Sequence, residues 1–145
     1  MQALYSVAFI DQLVCSRTYD SLVMLSTYVE AASTAPGEPG RGLQAQLFVF
    51  VEALAWFAQS DRSGAWSYFE ATSSLRQEAM CASLIALGFD SLAQHYSFGM
   101  RHWEDAVLMQ QLDRWLEENE EQNESWLFGL VISQRDQLKC ILCRE

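Results

Sequence analysis

The twelve residues Leu47 to Ala58, LFVFVEALAWFA, are apolar but for Glu52, and no other stretch of the chain limits the fold so strongly. A helix over about Leu43 to Gln59 has apolar side chains at nearly every phase of its turns. It has no polar face to offer water and belongs at the centre of the protein. Phe50, Leu54, Trp56 and Phe57 are expected to be largely buried there. Twelve residues of helix rise only ~18 Å, too little to span a bilayer. Glu52 is expected to pair with an arginine such as Arg62 or Arg76, or to lie at the helix's one wet edge, ahead of any role as a general acid.

Elsewhere strand patterns are scarce and apolar residues recur at spacings of three and four. The expectation is an all-α fold, a single domain over residues 1–145, built as a multi-helix bundle of about six to eight helices around the central apolar one. A first helix over Gln2 to Cys15 offers Leu4, Val7, Ala8 and Val14 to the interior. A second, capped by Asp20, offers Leu22, Leu25, Tyr28 and Val29, and the two should form a hairpin. Residues 33–42 hold both prolines and three glycines and read as an exposed loop. Ser60 to Gly64 should break the central helix, with Trp66, Tyr68 and Phe69 forming an aromatic cluster just after it. Ser74 and Gln77 read as a capping box, Gly88 as a helix-ending C′ glycine and Asp90 as the next cap. Further helices are expected over Asp90 to Phe98, Trp103 to Glu118 and Glu124 to Leu142, the last with Asn123 as its cap. Its run from Trp126 to Ile132 has no polar side chain and also fits a buried strand, but a single strand would have no partner and helix is the reading.

The charge is unevenly spread. Glu104, Asp105, Asp113, Glu117, Glu118, Glu120, Glu121 and Glu124 face one cation, Arg114, so this segment carries −7 of a net charge of −10. If it is helical at its centre, Asp113, Glu117, Glu121 and Glu124 fall on one face, with carboxylates every ~5 to 6 Å. Such a row can engage a protein built to grip phosphates, and it can equally be a solvated connection between helices. Glu117 and Glu118, near a helix C-terminus, oppose the macrodipole and so do not serve their own helix. An overall negative charge disfavours nucleic acid and anionic membrane surfaces as direct ligands and favours cationic partners.

The stretch from Glu52 through SDRSGAWSYFEATSSLRQEAMCASLIALGFDSLAQHY resembles a bacterial all-helical domain family. In that family a glutamate-bearing helix is followed by an Asn-Gly-Gly-Phe-like turn, an aromatic pair and an alanine-rich helix ending in an Ile-Gly or Leu-Gly step. Here Ser63, Gly64, Ala65 and Trp66 stand at the turn, Tyr68 and Phe69 at the pair, and Leu87 with Gly88 at the step. The best-known type of the family is an acidic DNA mimic that sequesters a DNA-binding protein. The resemblance therefore implies a similar role in transcription regulation for the acidic segment. The aromatics themselves read as core.

Signals for catalysis are weak. His95 and His102 are the only histidines, no HExxH, phosphate-cradling glycine loop or Gly-x-Ser-x-Gly elbow occurs, and no enzyme activity is expected. Cys140 and Cys143 form a CxxC without a second pair or a neighbouring histidine, so neither metal nor cofactor is expected. The first residues, MQALYSVAFIDQLVCSR, lack a basic region before the apolar ones, which points to the cytoplasm. The chain thus reads as an acidic interaction module that competes with DNA for a basic DNA-binding protein. The alternative is an immunity-type inhibitor of a nuclease or other toxin with a cationic active site. A homodimer is compatible with either.

Overall fold

A computed structural model of the chain describes residues 5–33 and 43–143. Among the described residues nine α-helices follow one another and no strand occurs, as the all-α expectation requires. They are α1 (Val7–Cys15), α2 (Tyr19–Ala32), α3 (Ala45–Ser63), α4 (Ala65–Ala71), α5 (Ser74–Ala86), α6 (Asp90–His102), α7 (Ala106–Glu118), α8 (Glu120–Ser133) and α9 (Arg135–Leu142). The number reaches nine because the last expected helix is divided at Gln134. Contacts group the helices into two compact units. One holds α1, α2, α3 as far as Leu54, α8 from Glu124, and α9, and the other holds residues Ala55–Asn123. The expected loop falls outside the described residues except for Ser33, the extended C-cap of α2.

In the first unit α1 and α2 pack together, as expected, and α9 packs against both. Ser6 caps α1 by accepting a bond from Phe9 N, so the helix starts at Val7 and not at Gln2. Its buried face is Ile10, Leu13 and Val14. Val7 and Ala8, expected inside, are exposed. Thr18, and not Asp20, caps α2 through Ser21 N at 3.2 Å, while Asp20 sits in the first turn, where negative charge is favourable. Tyr28 is half-buried, beside a fully covered Val29. Leu138 and Leu142 bury the inner side of α9. On its outer side Arg135 Nε and Lys139 Nζ reach Asp11 Oδ1 at 2.9 and 3.1 Å. The Arg135 guanidinium, then Lys139, holds the Asp11 carboxyl below its ordinary range. The run after Trp126 is helical, burying Leu127, Phe128, Leu130 and Val131. Arg17, at a positive φ of 52° between α1 and α2, sets its guanidinium 5.0 Å from the Phe128 ring centre.

The apolar helix α3 behaves as its composition demands, with Val49 to Leu54 buried without interruption. Glu52 is only 3% exposed, so it does not lie at a wet edge. Phe50, Leu54 and Trp56 are buried, but Phe57 is half-buried. The helix also runs past Ser60 to Ser63 and ends only at Gly64, whose φ of 97° no side chain adopts readily.

In the second unit Trp56 of α3, Tyr68 and Phe69 of α4 and Tyr96 of α6 form a knot of rings. Their contacts are edge-on, with centroids 5.0 to 6.4 Å apart and planes inclined by 64° to 84°. The Tyr68 and Tyr96 hydroxyls meet at 2.7 Å inside it. Gly99, expected near a helix break, lies within α6, where a Cβ would overlap the Phe69 ring and stand 3.0 Å from Leu112 Cδ2. It is the residue that lets α4 and α6 approach. The cap of α5 is Ser73, not Ser74, and Gln77 closes no capping box. Its buried amide instead donates to Phe69 O and Thr72 O, both at 2.8 Å, tying α5 to the end of α4. Gly88 ends α5 as expected, at φ 82°, with Gly88 N bonded to Ile85 O and Phe89 N to Leu84 O. Asp90 is the first residue of α6, and Phe89 stands at its cap position.

Candidate functional site

The acidic segment is not one helix. α7 ends at Glu118, Asn119 takes a non-helical conformation with its N–H bonded to Trp115 O, and α8 starts at Glu120. The continuous row of four carboxylates is therefore broken in the middle. Asp113 and Glu117 share α7 at i, i+4, while Glu120, Glu121 and Glu124 belong to α8. Asn123, expected as a cap, lies inside α8 and is 8% exposed. Glu120 and Glu121 occupy the first turn of α8, which their charge stabilises, whereas Glu117 and Glu118 end α7, whose last turn has no basic residue.

The eight carboxylates divide by duty. Asp105 caps α7, its Oδ1 accepting from Val107 N and Leu108 N at 3.0 Å each. Asp113 is half-buried, and its Oδ1 accepts from Ala65 N at 2.7 Å. Gly64 cannot cap α4 with a side chain, so the first N–H of that helix takes its acceptor from α7. Glu124 is half-buried. Glu104, Glu117, Glu118, Glu120 and Glu121 are exposed, and none of them forms an ion pair among the described residues.

Beside this surface the second unit carries an open cleft of ≈ 540 Å³. One wall is a single stripe of α7: Ala106, Met109, Gln110 and Asp113, spaced i, i+3, i+4, i+7. Trp66, at the second position of α4, lines it as well, and so do Trp103 and Glu104 at the corner between α6 and α7. Trp66 is 42% exposed, not core. Neither Trp66 nor Trp103 meets another ring among the described residues. Sequence reasoning missed this cleft, although α4 held a signal. Ala65, Tyr68 and Phe69, at i, i+3, i+4, define the buried side, which leaves Trp66 about 100° away from Ala65 around the helix.

The remaining chemically capable groups are scattered. His95 stacks on Trp115 with ring centres 3.7 Å apart and its Nδ1 lies 2.7 Å from Ser91 O. His102 lies against Phe98. Cys140 is exposed and Cys143 half-buried, the latter with its thiol pushed up first by burial and next by the Asp11 charge. Among the described residues no group of three or more His, Cys, Asp or Glu could hold a metal ion, and no helix is long and apolar enough to cross a membrane. Compared with known proteins, the chain matches no family model, no curated protein and no solved structure.

Proposed function

We propose that the protein is a non-catalytic interaction module whose acidic surface binds a basic, DNA-binding protein in competition with DNA. One observation carries the reading: Glu117, Glu118, Glu120 and Glu121 are exposed around the α7–α8 junction, without ion-pair partners among the described residues. Two of them stand where the helix dipole opposes them, so stability of their own helix does not account for them. Asp105 Oδ1 and Asp113 Oδ1 already accept from backbone N–H groups, so the exposed glutamates carry this reading. A surface of this kind gives speed more than tightness, since charges at a rim steer encounter and are screened over ~10 Å at 0.1 M salt.

The test is the variant Glu117→Gln, Glu118→Gln, Glu120→Gln, Glu121→Gln, measured against the basic protein recovered with the parent from its native cell. The association rate at low salt should fall by roughly tenfold or more, converging with the parent as salt is added. Duplex DNA should displace the partner. Equal rates for variant and parent at low salt would reduce the surface to a solubilising feature. Recovery of a nuclease inhibited by the protein would move the reading to a toxin's immunity partner.

A further inference from the structure

From the composition of the cleft on α7 we infer that it is a receptor for a guanidinium group, an arginine side chain presented by a protein partner. Three features of the cleft specify this chemistry. Trp66 and Trp103 are the two lining residues with large aromatic faces, and neither spends its face on another ring among the described residues. Indole is the strongest of the side-chain rings in attracting a cation, and a planar guanidinium can stack on it while its N–H groups stay free to donate. Glu104 and Asp113 supply the acceptors, and no lysine or arginine lines the cleft. Asp113 is positioned for this by the bond from Ala65 N, which fixes Oδ1 and leaves Oδ2 without a hydrogen bond among the described residues. Met109, which also lines the cleft, is buried and apolar, suited to the methylene stem that carries a guanidinium. A neutral apolar ligand would leave both carboxylates unmet, and an anion would be repelled by them.

The inference rests on the reading of a basic partner only for the source of the arginine, and its test uses a small probe, so either can fail while the other stands. The protein, with its five tryptophans labelled at the indole nitrogen, is titrated with N-acetyl-arginine N-methylamide. In parallel it is titrated with the citrulline counterpart, which has nearly the same shape and no charge. The arginine probe should shift the indole resonances of Trp66 and Trp103 along one saturating curve, with Trp56 unmoved. The citrulline probe should bind roughly 3- to 30-fold more weakly, the range that a cation–aromatic contact spans. Glu104→Gln and Trp66→Leu, both at exposed positions, should each weaken the arginine probe while leaving the thermal transition in place. Equal response to the two probes, no response of Trp66 and Trp103, or undiminished binding by both variants would overturn the proposal. The Gln variant of the α7–α8 glutamates should bind the probe like the parent, because none of its four positions lines the cleft.

Discussion

Trp56, Tyr68, Phe69 and Tyr96 meet one another edge-on and are each at most 3% exposed, whereas Trp66, on the same seven-residue helix as Tyr68 and Phe69, meets no ring among the described residues and faces an open cleft. Both groups are large aromatics from neighbouring positions, and composition alone treats them alike. What separates them is phase around α4, together with Gly64, whose positive φ fixes where that helix begins. The knot is closed by ring packing and the cleft is open, so the first should answer to stability measurements and the second to binding measurements.

The largest expected contrast is between Phe69→Ala and Trp66→Ala. Phe69 is 2% exposed and touches three other rings of the knot, so its truncation should cost about 3–5 kcal/mol. Trp66→Ala should cost less, about 1–2 kcal/mol, because the side chain is 42% exposed and meets no other ring among the described residues. Urea denaturation of the two variants checks both. Comparable losses would show that Trp66 is part of the core and would end its candidacy as a binding residue.

A smaller effect tests how tightly the knot is closed. In an unobstructed helix, alanine in place of glycine stabilises by roughly 0.5–1 kcal/mol. At Gly99 a Cβ would run into the Phe69 ring and Leu112, so Gly99→Ala should instead destabilise by about 1–3 kcal/mol. Adding Phe69→Leu should cost less in the Gly99→Ala background than in the parent, because the shared space couples the two sites. A stabilised Gly99→Ala protein would mean that α4 and α6 can part without loss.

Gly99 also shows where sequence reading stops. The apolar all-round α3, the α1–α2 hairpin and the Gly88 terminus were legible, since each depends on residues close in sequence whose period or backbone freedom decides the outcome. A glycine needed because Phe69, thirty residues earlier in the chain, presses on it leaves no local mark, and it reads as a break. The caps failed by one or two residues where candidates adjoin, Ser73 beside Ser74 and Thr18 near Asp20, because the choice is made by the packing of the helix that follows. The acidic segment was legible as charge and as a helix ending at Glu118, but not in where α8 begins, at Glu120 and not Glu124. The diversion of Asp113 to the Ala65 N–H and the cleft depend on how α7 meets α4 and α6.

The smallest effect concerns two carboxylates one turn apart on α7, Asp113 and Glu117, and it separates a carboxylate that holds the fold from one that faces solvent. Asp113 closes the N–H of Ala65 at 2.7 Å, at the positive end of α4, where Gly64 offers no side-chain cap. Asp113→Ala removes both a charge-assisted hydrogen bond and a favourable helix-end charge, and should cost about 1–2 kcal/mol. Asp113→Asn keeps an acceptor for Ala65 N and loses only the charge, so it should recover roughly half of that. Glu117 sits one turn further along α7, exposed and near the negative end of its own helix. Its replacement by glutamine relieves an unfavourable charge and should leave stability unchanged or raise it by a few tenths of a kcal/mol. Chemical denaturation at low ionic strength resolves the order Asp113→Ala, Asp113→Asn, Glu117→Gln. If Glu117→Gln were the most costly of the three, Glu117 would be structural, and the reading that it is kept for a partner would lose its support.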